Sequence, residues 1–147
     1  LLGLAQTGTG KTAAFVLPIL QRLSVNPSSN SIQSLIIAPT RELAEQIHAY
    51  IGKFSTRLNL HSCVIYGGVS KETQVKKLRR GVDVVIACPG RLLDLAHDGE
   101  VNLSAVNTLV LDVADQMLDR GFLRDIKRLL KLLPARRVSL VFSGTVA

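Results

Sequence analysis

The stretch Ala5-Gln6-Thr7-Gly8-Thr9-Gly10-Lys11-Thr12 constrains this chain more than any other. The apolar Leu1-Leu2-Gly3-Leu4 precedes it and Ala13-Ala14-Phe15-Val16-Leu17 follows, so the segment reads as strand, loop, helix. Gly8 and Gly10 let the backbone bend until its N–H groups converge on anionic oxygens. Lys11 brings a point charge to the β and γ phosphates of a nucleotide, and the Thr12 hydroxyl can ligate Mg²⁺. A helix starting near Gly10 adds its positive dipole end at the same place. Ala5 departs from the general pattern, which has Gly there.

A chain of 147 residues is long enough for one domain with a core. Its 47% hydrophobic content includes only 4% aromatic residues and no Trp, the aliphatic composition of an α/β domain. No apolar run reaches membrane-span length and no secretory signal opens the chain, so the expectation is a cytoplasmic protein with no membrane partner. Because the chain begins inside the strand that feeds the loop, a fragment is expected. The net charge of +7, from 18 Lys and Arg against 11 Asp and Glu, points to a polyanionic partner, with nucleic acid first. Cys63 and Cys88 match no metal spacing and read as free thiols in a reducing compartment. His48, His61 and His97 lie apart from one another and from other ligand types, and read as ordinary surface or core histidines.

Along the chain, a helix is expected from Lys11 to Leu23, perturbed at Pro18. Leu35 to Ala38 is a short buried strand ending at Pro39, and Thr40 can cap the next helix. In that helix Leu43, Ile47, Tyr50, Ile51 and Phe54 share one face. Ser62 to Tyr66 is a strand stopped by Gly67-Gly68. Ser70 can cap a helix reaching Arg80, with Val75 and Leu78 inward and Lys71, Lys76, Lys77, Arg79 and Arg80 outward as a solvated face. Val82 to Ala87 is a strand, and Pro89 opens a helix that ends at Asp98-Gly99. Thr108 to Leu111 is a strand ending at Asp112. The helix after Gly121 places Leu123, Ile126, Leu129, Leu130 and Leu133 on one side, and Val138 to Phe142 is the last strand. Apolar strands alternating with helices predict a mainly parallel sheet covered on both faces, with ligands collecting at the carboxyl ends of its strands. The strand feeding the phosphate loop is expected in the middle of that sheet.

A phosphate loop alone does not choose among kinases, GTPases and motor ATPases. Pro39-Thr40-Arg41-Glu42-Leu43-Ala44, Gly67-Gly68, Pro89-Gly90-Arg91, a strand ending at Asp112, and Ser143-Gly144-Thr145 follow it in that order. The ordered set closely resembles the N-terminal RecA-like domain of DEAD-box ATP-dependent RNA helicases, over residues 1–147. The resemblance implies a P-loop NTPase fold, with ATP and Mg²⁺ as ligands. Residues Ala5 to Thr12 would hold the phosphates, and Thr12 and Asp112 the Mg²⁺. Pro39, Thr40, Arg41, Glu42, Gly67, Gly68, Pro89, Gly90 and Arg91 would grip one RNA strand by its backbone, independent of sequence. Ser143 and Thr145 would couple the two sites. It further implies an adenine-reading segment before Leu1 and a second RecA-like domain after Ala147, which supplies arginines to the γ-phosphate.

Where the family carries Asp-Glu-Ala-Asp, this chain has Asp112-Val113-Ala114-Asp115. Val113 can neither orient nor deprotonate a water, so the resemblance implies nucleotide binding with impaired hydrolysis; Asp115 is the nearest substitute carboxylate. Cys88 stands where the family usually has Thr, and Gly144 where it usually has Ala. Two alternatives accompany the helicase reading: a non-catalytic nucleotide- and RNA-binding module, and a P-loop ATPase acting on DNA.

Overall fold

Runs such as Leu35-Ile36-Ile37 and Val84-Val85-Ile86 offer no polar face to water, so a sheet built from them must be covered on both sides. The computed structural model describes residues 2–4, 16–21, 31–113, 120–135 and 137–143; for 2–4, 55–56, 112–113, 120 and 138–143 it describes the backbone. The strands are β1 (Leu2–Leu4), β2 (Ser34–Ile37), β3 (Ser62–Ile65), β4 (Val84–Ala87), β5 (Thr108–Val113) and β6 (Val138–Ser143). The helices are α1 (residues 16–21), α2 (Arg41–Leu58), α3 (Lys71–Arg79), α4 (Pro89–His97) and α5 (Arg120–Leu132).

The strands form one parallel sheet in the order β1-β6-β5-β2-β4-β3. Side chains alternate between its faces with the strand period of two. Ile36, Val64, Val84, Ile86 and Val110 pack with Val16 and Ile19 of α1 and with Ala44, Ile47 and Ile51 of α2. Leu35, Ile37, Cys63, Ile65, Val85 and Leu109 pack on the other face against Leu92 and Leu95 of α4 and Ile126 and Leu129 of α5. Each fully buried Ile or Leu in these layers contributes about 1.5–3 kcal/mol relative to exposure. The expected α/β architecture, parallel and covered on both faces, is therefore present.

Four local expectations change. Among the described residues β1 is an edge strand, paired on one side with β6, rather than a central one. Strand β5 runs on through Asp112 to Val113, because β6 lies alongside and pairs Asp112 with Phe142 and Val113 with Ser143. Leu123 is 43% exposed: it shares a side with Lys127 one turn later, away from the stripe formed by Ile126, Leu129 and Leu133. Ser70 holds the N-cap position of α3 but makes no side-chain cap bond. Pro18 lies within the helical segment 16–21 and is exposed, whereas the rest of the helix expected from Lys11 to Leu23 lies outside the described residues.

The register positions the site. Ile37 pairs with both Ala87 and Leu111, and Ala87 with Ile65, so these strands reach one sheet edge together. Leu4 pairs with Ser143, which also pairs with Val113. The described ends of β1 to β6 therefore fall along a single line at the carboxyl end of the sheet.

Candidate nucleic-acid interface

The ladder between β2 and β4 extends one residue past the strands, where the Ala38 N–H donates to Ala87 O at 2.9 Å. Pro39 has no N–H and ends the ladder. Thr40 then starts α2: its Oγ1 accepts from the Leu43 N–H at 3.2 Å, the expected cap. Arg41 and Glu42 fall in the exposed first turn, with Arg41 Nε 3.6 Å from Glu42 Oε1. Next door, the Cys88 N–H donates to Ile65 O at 2.8 Å, and Pro89 opens α4. Cys88 has the extended backbone of an N-cap residue, but its side chain makes no cap bond. The first N–H groups of α4 thus lack the side-chain acceptor that a hydroxyl would provide.

Beyond Tyr66 the chain turns through Gly67 and Gly68. Gly68 has φ +85, a left-handed conformation that glycine adopts without strain. A Cβ there would stand 3.4 Å from Arg41 Nη1, so the glycine turn and the start of α2 lie against each other. A Cβ on Gly90 would lie 3.8 Å from Asp125 Oδ2 of α5, in ordinary contact.

Side chains join these starts. Arg91 Nη1 donates to Val69 O at 3.0 Å and to Gln74 Oε1 at 3.2 Å. Gln74 Nε2 donates to Tyr66 O at 2.9 Å. The Tyr66 hydroxyl donates to Glu45 Oε2 at 2.9 Å, which holds the phenol proton above its ordinary range. His48 Nδ1 lies 3.8 Å from Glu45 Oε1, so this histidine has a carboxylate neighbour after all. Burial, reinforced by Glu42, pushes the Cys88 thiol up to about 11. Burial does the same to Cys63 in β3, also to about 11, with Lys77 opposing it. Both cysteines are free and in the thiol form at neutral pH.

The structure brings together Pro39, Thr40, Arg41, Glu42, Gly67, Gly68, Pro89, Gly90 and Arg91 at the ends of β2, β3 and β4. On the other half of the same edge it places the backbone of Leu4, Asp112, Val113 and Ser143. Ala5 to Thr12, Asp115 and Thr145 lie outside the described residues. Among the described residues no cluster of His, Cys, Asp and Glu is arranged to hold a metal. No helix among them is long and apolar enough to cross a membrane.

Among the described residues, the burial of Gln74 and of Asp83 was not read from the sequence. Gln74 is 5% exposed, inside a helix read only for Val75, Leu78 and its basic outer side. Its signal was present: residue 74 lies one turn before the inward Leu78. Asp83 is also 5% exposed, at the opposite end of the sheet; its Oδ2 accepts from the His61 N–H at 2.9 Å and lies 3.8 Å from the His61 ring. The outer basic side of α3 is exposed as expected, and its charges are partly paired. Lys71 reaches Asp98 at 3.1 Å, Lys76 reaches Glu72 at 3.8 Å, and Arg79 reaches Glu100 at 3.2 Å.

This arrangement has close counterparts. A family model described as DEAD/DEAH box helicase matches residues 1–147. ATP-dependent RNA helicase DBP3 of Lodderomyces elongisporus is 46% identical over 145 residues, which cover 98% of this chain and 27% of that protein. ATP-dependent RNA helicase CshA of Listeria monocytogenes is 45% identical over 146 residues, 99% of this chain and 28% of its own. A crystal structure of a hypothetical ATP-dependent RNA helicase from Sulfolobus tokodaii matches with a TM-score of 0.83 at 36% identity, over 99% of this chain and 41% of that one. The chain belongs to the DEAD/DEAH box helicase family. It spans little more than a quarter of the length of these two curated relatives.

Proposed function

We propose that this chain is the N-terminal RecA-like domain of an ATP-dependent RNA helicase, binding ATP on one half of the sheet edge and an RNA backbone on the other. The observation that carries this reading is the register that lines the starts of α2 and α4 and the Gly67-Gly68 turn along the ends of β2, β4 and β3. Glycines allow close approach of a phosphate backbone, helix starts offer N–H groups, and Arg41 adds charge. Such contacts touch no base edge, so binding is independent of RNA sequence.

On the nucleotide half, Gly8, Gly10 and Lys11 hold the phosphates, within the loop from Ala5 to Thr12. The Thr12 hydroxyl and the Asp112 carboxylate are hard oxygen donors of the kind Mg²⁺ takes. The register supports their meeting, since Leu4 and Asp112 lie on strands separated only by β6. A Mg²⁺ held by Thr12 and Asp112 would supply positive charge against the phosphates of the nucleotide. Ser143 and Thr145 couple the two halves in this reading; the backbone of Ser143 pairs with both Leu4 and Val113 on the nucleotide half. The partner in the reaction is a second RecA-like domain that completes both sites.

Val113 favours a second reading, a module that binds without turnover. Position 113 pairs with Ser143 at the sheet edge, beside Asp112, where a glutamate would serve as base. Losing a positioned general base costs roughly 10²–10⁴-fold in rate. The experiment is RNA-stimulated ATP turnover of Val113→Glu in the protein with both RecA-like domains. Turnover should rise by about that factor. A silent variant that still binds nucleotide would favour the non-catalytic module.

A further inference from the structure

We infer that Gln74 is the positioning residue of the RNA clamp, tying the Tyr66–Val69 turn to the start of α4. The inference rests on reading this sheet edge as an RNA site, and adds a residue outside the motifs that define it.

Gln74 is buried in a helix whose neighbouring positions Lys71, Glu72, Thr73, Lys76 and Lys77 are exposed. A buried amide destabilises a fold unless both of its ends are bonded. Here both are: Nε2 donates to Tyr66 O at 2.9 Å, and Oε1 accepts from Arg91 Nη1 at 3.2 Å. The partners fix the amide's orientation, since a carbonyl accepts only and a guanidinium donates only. The same Arg91 nitrogen donates to Val69 O at 3.0 Å. Thus the carbonyl before Gly67-Gly68 and the carbonyl after it are both tied, one by Gln74 and one by Arg91, and the two side chains are tied to each other.

This assigns Arg91 a different part from Arg41. Arg41 stands exposed beside Gly68. Arg91 has Nη1 engaged by two acceptors of the protein itself, Val69 O and Gln74 Oε1, and acts as a strut through Gln74. Two glycines in sequence are the most mobile backbone the chain can make, and a phosphate contact built on them needs them held before RNA arrives.

The test is equilibrium binding of a short single-stranded RNA to the full chain carrying Gln74→Met, Arg91→Met, or both, with hydrogen exchange across 66–69 and a thermal melt of each. Gln74→Met should weaken RNA binding about tenfold, the scale of roughly one net hydrogen bond, and speed exchange across 66–69. The double variant should lose little more than Arg91→Met alone, because one strut is being removed twice. Gln74→Glu, which accepts from Arg91 but cannot donate to Tyr66 O when ionised, should fall in between and carries the test if Gln74→Met does not fold. If unmodified protein binds RNA and Gln74→Met binds within twofold of it, or if the losses are additive, the inference is overturned alone. If unmodified protein binds no RNA, the clamp reading falls and this inference with it.

Discussion

The two halves of the sheet edge depend on their residues in different ways. On the β2-β4-β3 half, contacts are spread over a threonine cap, two proline-started turns, a glycine pair and the Tyr66–Gln74–Arg91–Val69 bonds. Much of what it offers a ligand is backbone. On the β1-β6-β5 half, backbone register sets the stage, but the proposed chemistry falls to single side chains: Lys11, Asp112 and position 113. In the function proposed above, binding is distributed and should tolerate substitution, whereas hydrolysis is concentrated and should be lost with one residue. Cys88 and Val113 illustrate the contrast. Cys88 leaves the backbone start of α4 in place. Val113 offers no proton acceptor where the proposed mechanism needs one.

The largest effect should come from Val113→Glu, with turnover raised ~10²–10⁴-fold. The contrast sharpens if RNA affinity without nucleotide stays unchanged in that variant, and breaks if both move together. Next comes Gly68→Ala. At φ +85 a Cβ adds about 1 kcal/mol of strain, and it would stand in contact with Arg41 Nη1 at 3.4 Å. Lower thermal stability and several-fold weaker RNA binding are expected. Full RNA affinity in this variant would remove Gly68 from the clamp.

The smallest effect is Cys88→Thr. The residue already has N-cap geometry, so a hydroxyl should add about 0.5–1 kcal/mol, read by denaturant titration. The exchange also alters the pH dependence. In the folded chain the Cys88 thiol titrates at about 11, above the ordinary 9.0. The folded state therefore holds its proton longer than the unfolded state. That contribution to stability is complete below pH 9 and is lost as pH rises toward 11. Cys88→Thr should reduce the alkaline loss without abolishing it, because Cys63 behaves alike. An unchanged alkaline profile would contradict the burial of Cys88.

Much of this was legible in the residues. Apolar runs ending in Pro39, Gly67 and Pro89 mark strands that stop, and those stops line the proposed site. Thr40 announced its cap by chemistry that needs only three residues of chain. The strand order was not legible: a short β1 looks the same at an edge as in the middle, and only its pairing with β6 distinguishes them. Leu123 misled because the apolar stripe of α5 follows Ile126 and Leu129, a phase that Leu123 does not share. Gln74 was missed because its role lies in partners 8 and 17 residues away, a backbone carbonyl and a guanidinium. The helical spacing marked its side as inward, one turn before Leu78, but no local pattern names the groups it bridges.

The central claim is that one half of the edge grips an RNA backbone without reading bases. It is tested most directly by the affinity of the chain for single-stranded RNAs of equal length and different sequence, each measured over a range of salt. Affinities within about twofold of one another are expected, all falling as salt rises, with matching single-stranded DNA bound no better. A tenfold or greater preference for one sequence, an affinity indifferent to salt, or a preference for DNA would contradict it.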